Sequence, residues 1–91
     1  MKDVIKFYAD WCGPCKAYTP FFNEVKDELK DKYNFVEVDV DNDVTGVAAT
    51  FKIMSIPATV VVGEDGAYNK KVGLMNPDEL KKFIKKDVKK T

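Results

Sequence analysis

The chain has 91 residues, 45% of them apolar, and its fifteen basic and fifteen acidic residues give a formal net charge of zero. That length holds one domain with a modest core, and no stretch approaches the roughly 20 apolar residues of a membrane span. Every cation is a lysine, so the guanidinium fork that suits phosphates and base edges is missing and nucleic acid is not an expected partner.

In chain order, residues 3–9 read as a short strand apolar on both faces, as a central strand would be, with Lys6 interrupting it. Residues 12–32 read as a helix whose buried stripe is Tyr18, Phe21, Phe22, Val25 and Leu29. Pro20 inside it removes one backbone bond and predicts a kink. Residues 35–40 alternate, with Val36, Val38 and Val40 on one face, and predict a second strand. Asp41-Asn42-Asp43 follows as turn or cap. Val44, Val47, Ala48 and Phe51 then stand at helical spacing, predicting a short helix with Asn42 or Asp43 as its N-cap, weakened by Gly46.

Beyond Ile56-Pro57, a β-branched run at Ala58–Val62, the turn Gly63-Glu64-Asp65-Gly66 and residues 67–72 predict a β-hairpin. At Gly73 a bulge or a close backbone approach is expected. The last helix is the best punctuated: Asn76 as N-cap, Pro77 at the first position, Glu79 closing a capping box, and Leu80, Phe83, Ile84 and Val88 as its buried stripe. Lys81, Lys82, Lys85, Lys86, Lys89 and Lys90 crowd its end, where the helix dipole favours cations. These lysines, and the acids Glu37, Asp39, Asp41 and Asp43, read as solvated surface. The order β-α-β-α-β-β-α over residues 1–91 predicts one α/β domain. Two strand–helix–strand crossovers with parallel neighbours and a closing hairpin give a four-stranded mixed sheet flanked by three helices.

The chemistry is concentrated in Trp11-Cys12-Gly13-Pro14-Cys15, which holds both cysteines of the chain. A Cys-x-x-Cys pair that follows an apolar strand and opens a helix is the setting of a dithiol redox site. Structural zinc wants four Cys or His ligands, and two Cys with no His would need a second chain to complete the set. A purely structural bridge closing so short a loop removes little unfolded-chain entropy. Cys12 falls at a helix N-terminus, where unpaired N–H groups and a partial positive charge favour an anion, so its pKa is expected below the free-cysteine value. Cys15, one turn further in, points toward the core and is expected to act second. Pro14 suits the first helical turn and Gly13 permits a tight approach.

Trp11-Cys12-Gly13-Pro14-Cys15-Lys16 resembles the active-site signature of the thioredoxin family, itself a known example of a lowered cysteine pKa, and Ile56-Pro57 resembles that family's cis-proline element. The resemblance covers nearly the whole chain and implies a minimal thioredoxin-like fold and a protein thiol–disulfide oxidoreductase. In that reading the Cys12 thiolate attacks a target disulfide and Cys15 resolves the mixed disulfide. Trp11, Ile56, Pro57 and Gly73 would form the substrate groove. No cofactor beyond the Cys12–Cys15 disulfide is implied. The implied partners are disulfide-containing target proteins and an upstream electron donor of the thioredoxin-reductase type, with no membrane and no metal. The chain opens with no signal-peptide pattern and is expected to be a cytoplasmic monomer.

Three departures from the family pattern stand out. The strand and helix that commonly precede the active-site strand are missing, which brings the chain nearer to glutaredoxins in length. Ala58 stands where Thr more often follows the cis-proline. Six residues before the first cysteine, where the family usually carries a buried Asp, stands Lys6, while Glu37 on the neighbouring strand stands where many members carry a Lys. The signs are thus exchanged, and Lys6 and Glu37 are expected to form a partly buried pair able to relay a proton for Cys15. Two other functions compete: a glutaredoxin-like reductase of glutathione mixed disulfides, against which the Gly-Pro between the cysteines argues, and a docking module without turnover.

Overall fold

Strand β1 (Asp3–Tyr8) has neighbours on both sides, and the sheet is built on it. The structure, a computed structural model, describes residues 1–88. Lys89 and Lys90 of the expected basic end, and the last part of the expected 1–91 domain, lie outside them. Because strand side chains alternate, β1 sends Val4 and Lys6 to one buried face and Ile5 and Phe7 to the other. It pairs parallel with β2 (Asn34–Asp39) and antiparallel with β3 (Ala58–Val62), which pairs antiparallel with β4 (Tyr68–Val72). The strand order is β2-β1-β3-β4.

Helix α1 (Gly13–Leu29) makes the one crossover that joins parallel neighbours. The expectation of a second is corrected, since β3 runs antiparallel to β1 and does not touch β2. The reason is length. Between β2 and β3 lie a single turn at Val40–Asn42 and the four-residue helix α2 (Val47–Thr50). Four helical residues rise only about 6 Å, so no helix of this connection runs the length of a strand of about 20 Å as a crossover helix would. Strand β3 therefore starts at the end of the sheet where β2 finishes.

The stripe of α1 buries Tyr18, Phe22, Val25 and Leu29 on the Val4 face, with Phe21 only partly covered. The helix continues through the exposed Pro20 and ends at Leu29 rather than near Lys32, where the Lys32 and Tyr33 amides turn back to the Leu29 carbonyl at 2.9 and 3.1 Å. In α2 the N-cap position falls on Gly46, not on Asn42 or Asp43. Asp43 still does the chemical work from outside, its carboxylate accepting from the Val47 and Ala48 amides at 3.0 and 2.8 Å. Val44 is therefore not part of the buried stripe but 96% exposed.

The hairpin closes where the Gly63 amide donates to the Ala67 carbonyl at 2.8 Å. Helix α3 (Pro77–Lys85) carries the expected capping box, with the Glu79 amide on Asn76 Oδ1 at 2.8 Å and the Asn76 amide on Glu79 Oε1 at 3.0 Å. It buries Leu80 and Ile84 against the Val4 face, and Val88, past the helix end, packs on the same cluster. Asn76→Ala should cost about 1 kcal/mol. A urea titration should show a lower midpoint with an unchanged slope.

Candidate active site

Both β1 and β2 end at the edge of the sheet where α1 begins, and their register, Tyr8 opposite Asp39, brings the following segments out side by side. Cys12 is the N-cap of α1, with extended backbone, and Gly13 and Pro14 fill the first helical positions. The Cys15 amide donates to Cys12 Sγ at 3.2 Å, and no acid lies in the first turn. Cys12 and Cys15 are joined in a disulfide. Both sulfur-bearing residues are largely covered, 5% and 2% exposed, so exposure hardly separates them. Position does: the Cys12 sulfur receives a helix amide, an arrangement that stabilises a thiolate.

The peptide bond between Ile56 and Pro57 is cis, and the Ile56 carbonyl oxygen lies 3.9 Å from Cys12 Sγ. Gly73 donates its amide to the Pro57 carbonyl at 2.8 Å. Its φ of +101° lies in the left-handed region, and nothing crowds the place of a Cβ, so backbone conformation alone demands glycine there. Gly73 thus pins the Pro57 loop, with its amide already committed. Trp11 is 70% exposed, which removes a core role, and its indole N–H donates to Asp41 Oδ2 at 2.8 Å. Trp11 and Ile56 line a cleft of about 210 Å³ together with Val40, Ala48, Ile53, Met54 and Ser55. Pro57 is buried and Gly73 half-buried, and neither lines that cleft.

Beneath the cysteines, Lys6 Nζ lies 2.9 Å from Glu37 Oε1 and donates to Thr19 Oγ1 at 3.1 Å. The Thr19 hydroxyl donates in turn to the Cys15 carbonyl at 3.0 Å. Lys6 and Glu37 are register partners on β1 and β2, and Lys26 from α1 approaches the other carboxylate oxygen at 3.6 Å. Thr59, behind Ala58, pairs its hydroxyl with Tyr18 Oη at 2.8 Å. Burial pushes the Tyr18 hydroxyl up to about 12, with that hydrogen bond acting in the opposite direction. Burial also works to raise the Glu37 carboxyl, but the hydrogen bond and charge of Lys6, helped by Lys26, outweigh it and hold the carboxyl below its ordinary 4.5.

A lowered carboxyl pKa contributes stability that is present above the unfolded value and lost as pH falls through the folded one. Glu37→Gln should therefore melt below the parent at pH 7, and the gap should close as pH drops below 4.5. Thermal melts across that range would show it.

Sequence reasoning passed over two site residues. Asp41 read as turn and surface, although the parallel register of β1 and β2 is the signal that it emerges beside Trp11. Thr19 gave no signal beyond lying one helical turn past Cys15.

Two sulfurs able to trade their mutual bond for one with a third sulfur, set where a helix end steadies the thiolate, define a class: the dithiol–disulfide oxidoreductases. Comparison with known proteins narrows this. The thioredoxin family profile matches residues 2–86. A thioredoxin of Mycoplasmoides gallisepticum is 44% identical over 85 residues, covering 92% of this chain and 82% of the relative. One of Bacillus subtilis is 34% identical over 80 residues, with 88% and 76% covered. The oxidised structure of mitochondrial thioredoxin 3 from Saccharomyces cerevisiae superposes with a TM-score of 0.78 at 39% identity, over 92% of this chain and 76% of that one. The chain belongs to the thioredoxin family. It is a thiol–disulfide oxidoreductase that reduces protein disulfides and carries its redox-active disulfide at Cys12 and Cys15.

Proposed function

We propose that Cys12 is the nucleophile and Cys15 the resolving thiol of this reductase. The observation that carries the assignment is the Cys15 amide on Cys12 Sγ at the helix N-cap, with Cys15 one turn inside. The Cys12 thiolate attacks one sulfur of a target disulfide and expels the other as a thiolate. Cys15 then attacks Cys12 Sγ, and the target leaves fully reduced. Two electrons pass to the target and the Cys12–Cys15 disulfide remains. An upstream donor of the thioredoxin-reductase type must return them, and the two thiols carry them without any added cofactor. Gly13 and Pro14 shape the loop. Trp11 and the Ile56 backbone flank the target strand, with Pro57 and Gly73 supporting it from behind. Lys6 and Glu37 act beneath Cys15.

The partners are disulfide-containing proteins, and the chain works as a monomeric single domain over residues 1–91. A dithiol that must return to its reduced state suits a reducing compartment, the cytoplasm, and no helix among the described residues is long and apolar enough to cross a membrane. The test is stoichiometric reduction of a disulfide-bonded model protein by the reduced chain, combined with limited alkylation and peptide mapping. Target thiols should appear one pair per chain and the label should enter Cys12 first. Predominant labelling of Cys15 would reverse the roles, and reduction confined to glutathione mixed disulfides would favour the glutaredoxin-like alternative.

A further inference from the structure

Among the described residues Lys6 is the one buried charged side chain, 1% exposed. A cation withdrawn from water is costly even when paired, and an apolar residue of similar size is often the more stable choice. Fold stability therefore does not account for a lysine at this place. Its contacts lead to the redox pair. Of the three ammonium donors, one meets Glu37 and one meets Thr19, whose hydroxyl donates to the Cys15 carbonyl, so the cation stands two hydrogen bonds from the turn that carries Cys15. The Tyr8 and Phe22 rings also flank it, each 5.1 Å from Nζ.

The reaction presents a matching need. Cys15 is 2% exposed, and burial disfavours a thiolate, yet only the thiolate attacks. The titratable groups tied to this spot are Glu37 from β2, Lys26 and Tyr18 from α1, and Tyr8 from β1, with Asp39 and Asp10 acting in turn on Tyr8. Burial keeps Tyr18 high, and burial with the charges of Asp39, Glu37 and Asp10 keeps Tyr8 high, so both stay neutral while a thiol titrates. Glu37 is poorly placed as a base, because its carboxylate is held by Lys6 on one oxygen and Lys26 on the other. No side-chain hydrogen bond among the described residues joins it to a sulfur. The cation remains.

We propose that Lys6 is a positioning residue for the resolving step, its ammonium favouring the Cys15 thiolate while Glu37 sets how much of that charge Cys15 feels. The proposal rests on Cys15 being the resolving thiol. Cys15 Sγ–H gives its proton to solvent and the thiolate attacks Cys12 Sγ. The Cys12–Cys15 bond forms as the bond from Cys12 to the target sulfur breaks, and the target sulfur leaves as a thiolate.

The two charges pull in opposite directions, which separates this role from a structural one. When the reduced protein is mixed in a stopped-flow cell with a nitrobenzoate aryl disulfide, the first coloured thiol reports attack by Cys12 and the second reports resolution by Cys15. Lys6→Met should move the pH profile of the second release up by about one unit. It should slow that release near pH 7 by about threefold, because the roughly tenfold loss of thiolate is partly offset by the greater nucleophilicity of the less acidic one. Glu37→Gln leaves the ammonium less balanced and should move the profile down by about half a unit.

Shifts of opposite sign support the proposal. Shifts of the same sign, or none, overturn it, as does a Glu37→Gln profile that loses its dependence on pH, which would make Glu37 the proton acceptor. Should Lys6→Met not fold, the sign of the Glu37→Gln shift decides alone. A parent protein that releases only the first thiol would instead remove Cys15 as resolving thiol, and the proposal with it.

Discussion

Cys15→Ser should halt the reaction halfway and leave the protein covalently attached to its target. In this variant the Cys12 sulfur keeps its N-cap position, and the residue 15 amide still donates to it, so the first exchange proceeds. A serine hydroxyl cannot attack the mixed disulfide, and the only sulfur within one helical turn is gone. Turnover should fall to that of uncatalysed exchange, while a reductant-sensitive adduct of chain plus target accumulates and is read by intact mass. Cys12→Ser should abolish both turnover and adduct, because the sulfur that receives a helix amide is gone and no amide among the described residues donates to Cys15 Sγ. Undiminished turnover by Cys15→Ser would mean that a thiol outside the pair resolves the intermediate.

Phe22→Ala should be the most damaging single change to the fold outside the cysteines. Phe22 is fully buried on the α1 face, with its ring 5.9 Å from Tyr18 and 5.7 Å from Phe35, both edge-on, and the Lys6 ammonium 5.1 Å from its centre. Removing a buried phenyl ring costs about 3–5 kcal/mol, transfer and cavity together, against a total stability of about 5–15 kcal/mol for a domain. The melting temperature should drop by roughly 4–8 °C for each kcal/mol lost. Urea titration of parent and variant would measure it. A loss below about 1 kcal/mol would mean that Tyr18, Phe35 and the Lys6 side chain close over the gap.

Some of this protein is determined by neighbours in sequence. The capping box of α3 is complete within four residues, Asn76 to Glu79, because its hydrogen bonds are local. The hairpin turn at Gly63–Gly66 and the N-cap position of Cys12 likewise depend on backbone groups three or four residues apart, and alternation along β2 places Val36 and Val38 on one face in any context. The redox pair was legible for the same reason: two cysteines a helical turn apart, behind an apolar strand, carry their chemistry with them.

What lay beyond the sequence depends on groups that only the sheet brings together. The direction of β3 goes with how short α2 is, and α2 begins only at Val47, behind Gly46 in the left-handed region at its N-cap, with the Asp43 carboxylate reaching in from outside to hold its first amides. The bond between Trp11 and Asp41 spans thirty positions and exists because β1 and β2 are parallel and in register. The Lys6–Glu37 pair was anticipated from the exchanged signs at two family positions, but its link through Thr19 to the Cys15 carbonyl was not. Hydrophobic spacing reports which face of an element is buried. It carries no information on which polar groups meet across that face, because hydrogen bonds and ion pairs depend on distances that tertiary packing alone decides.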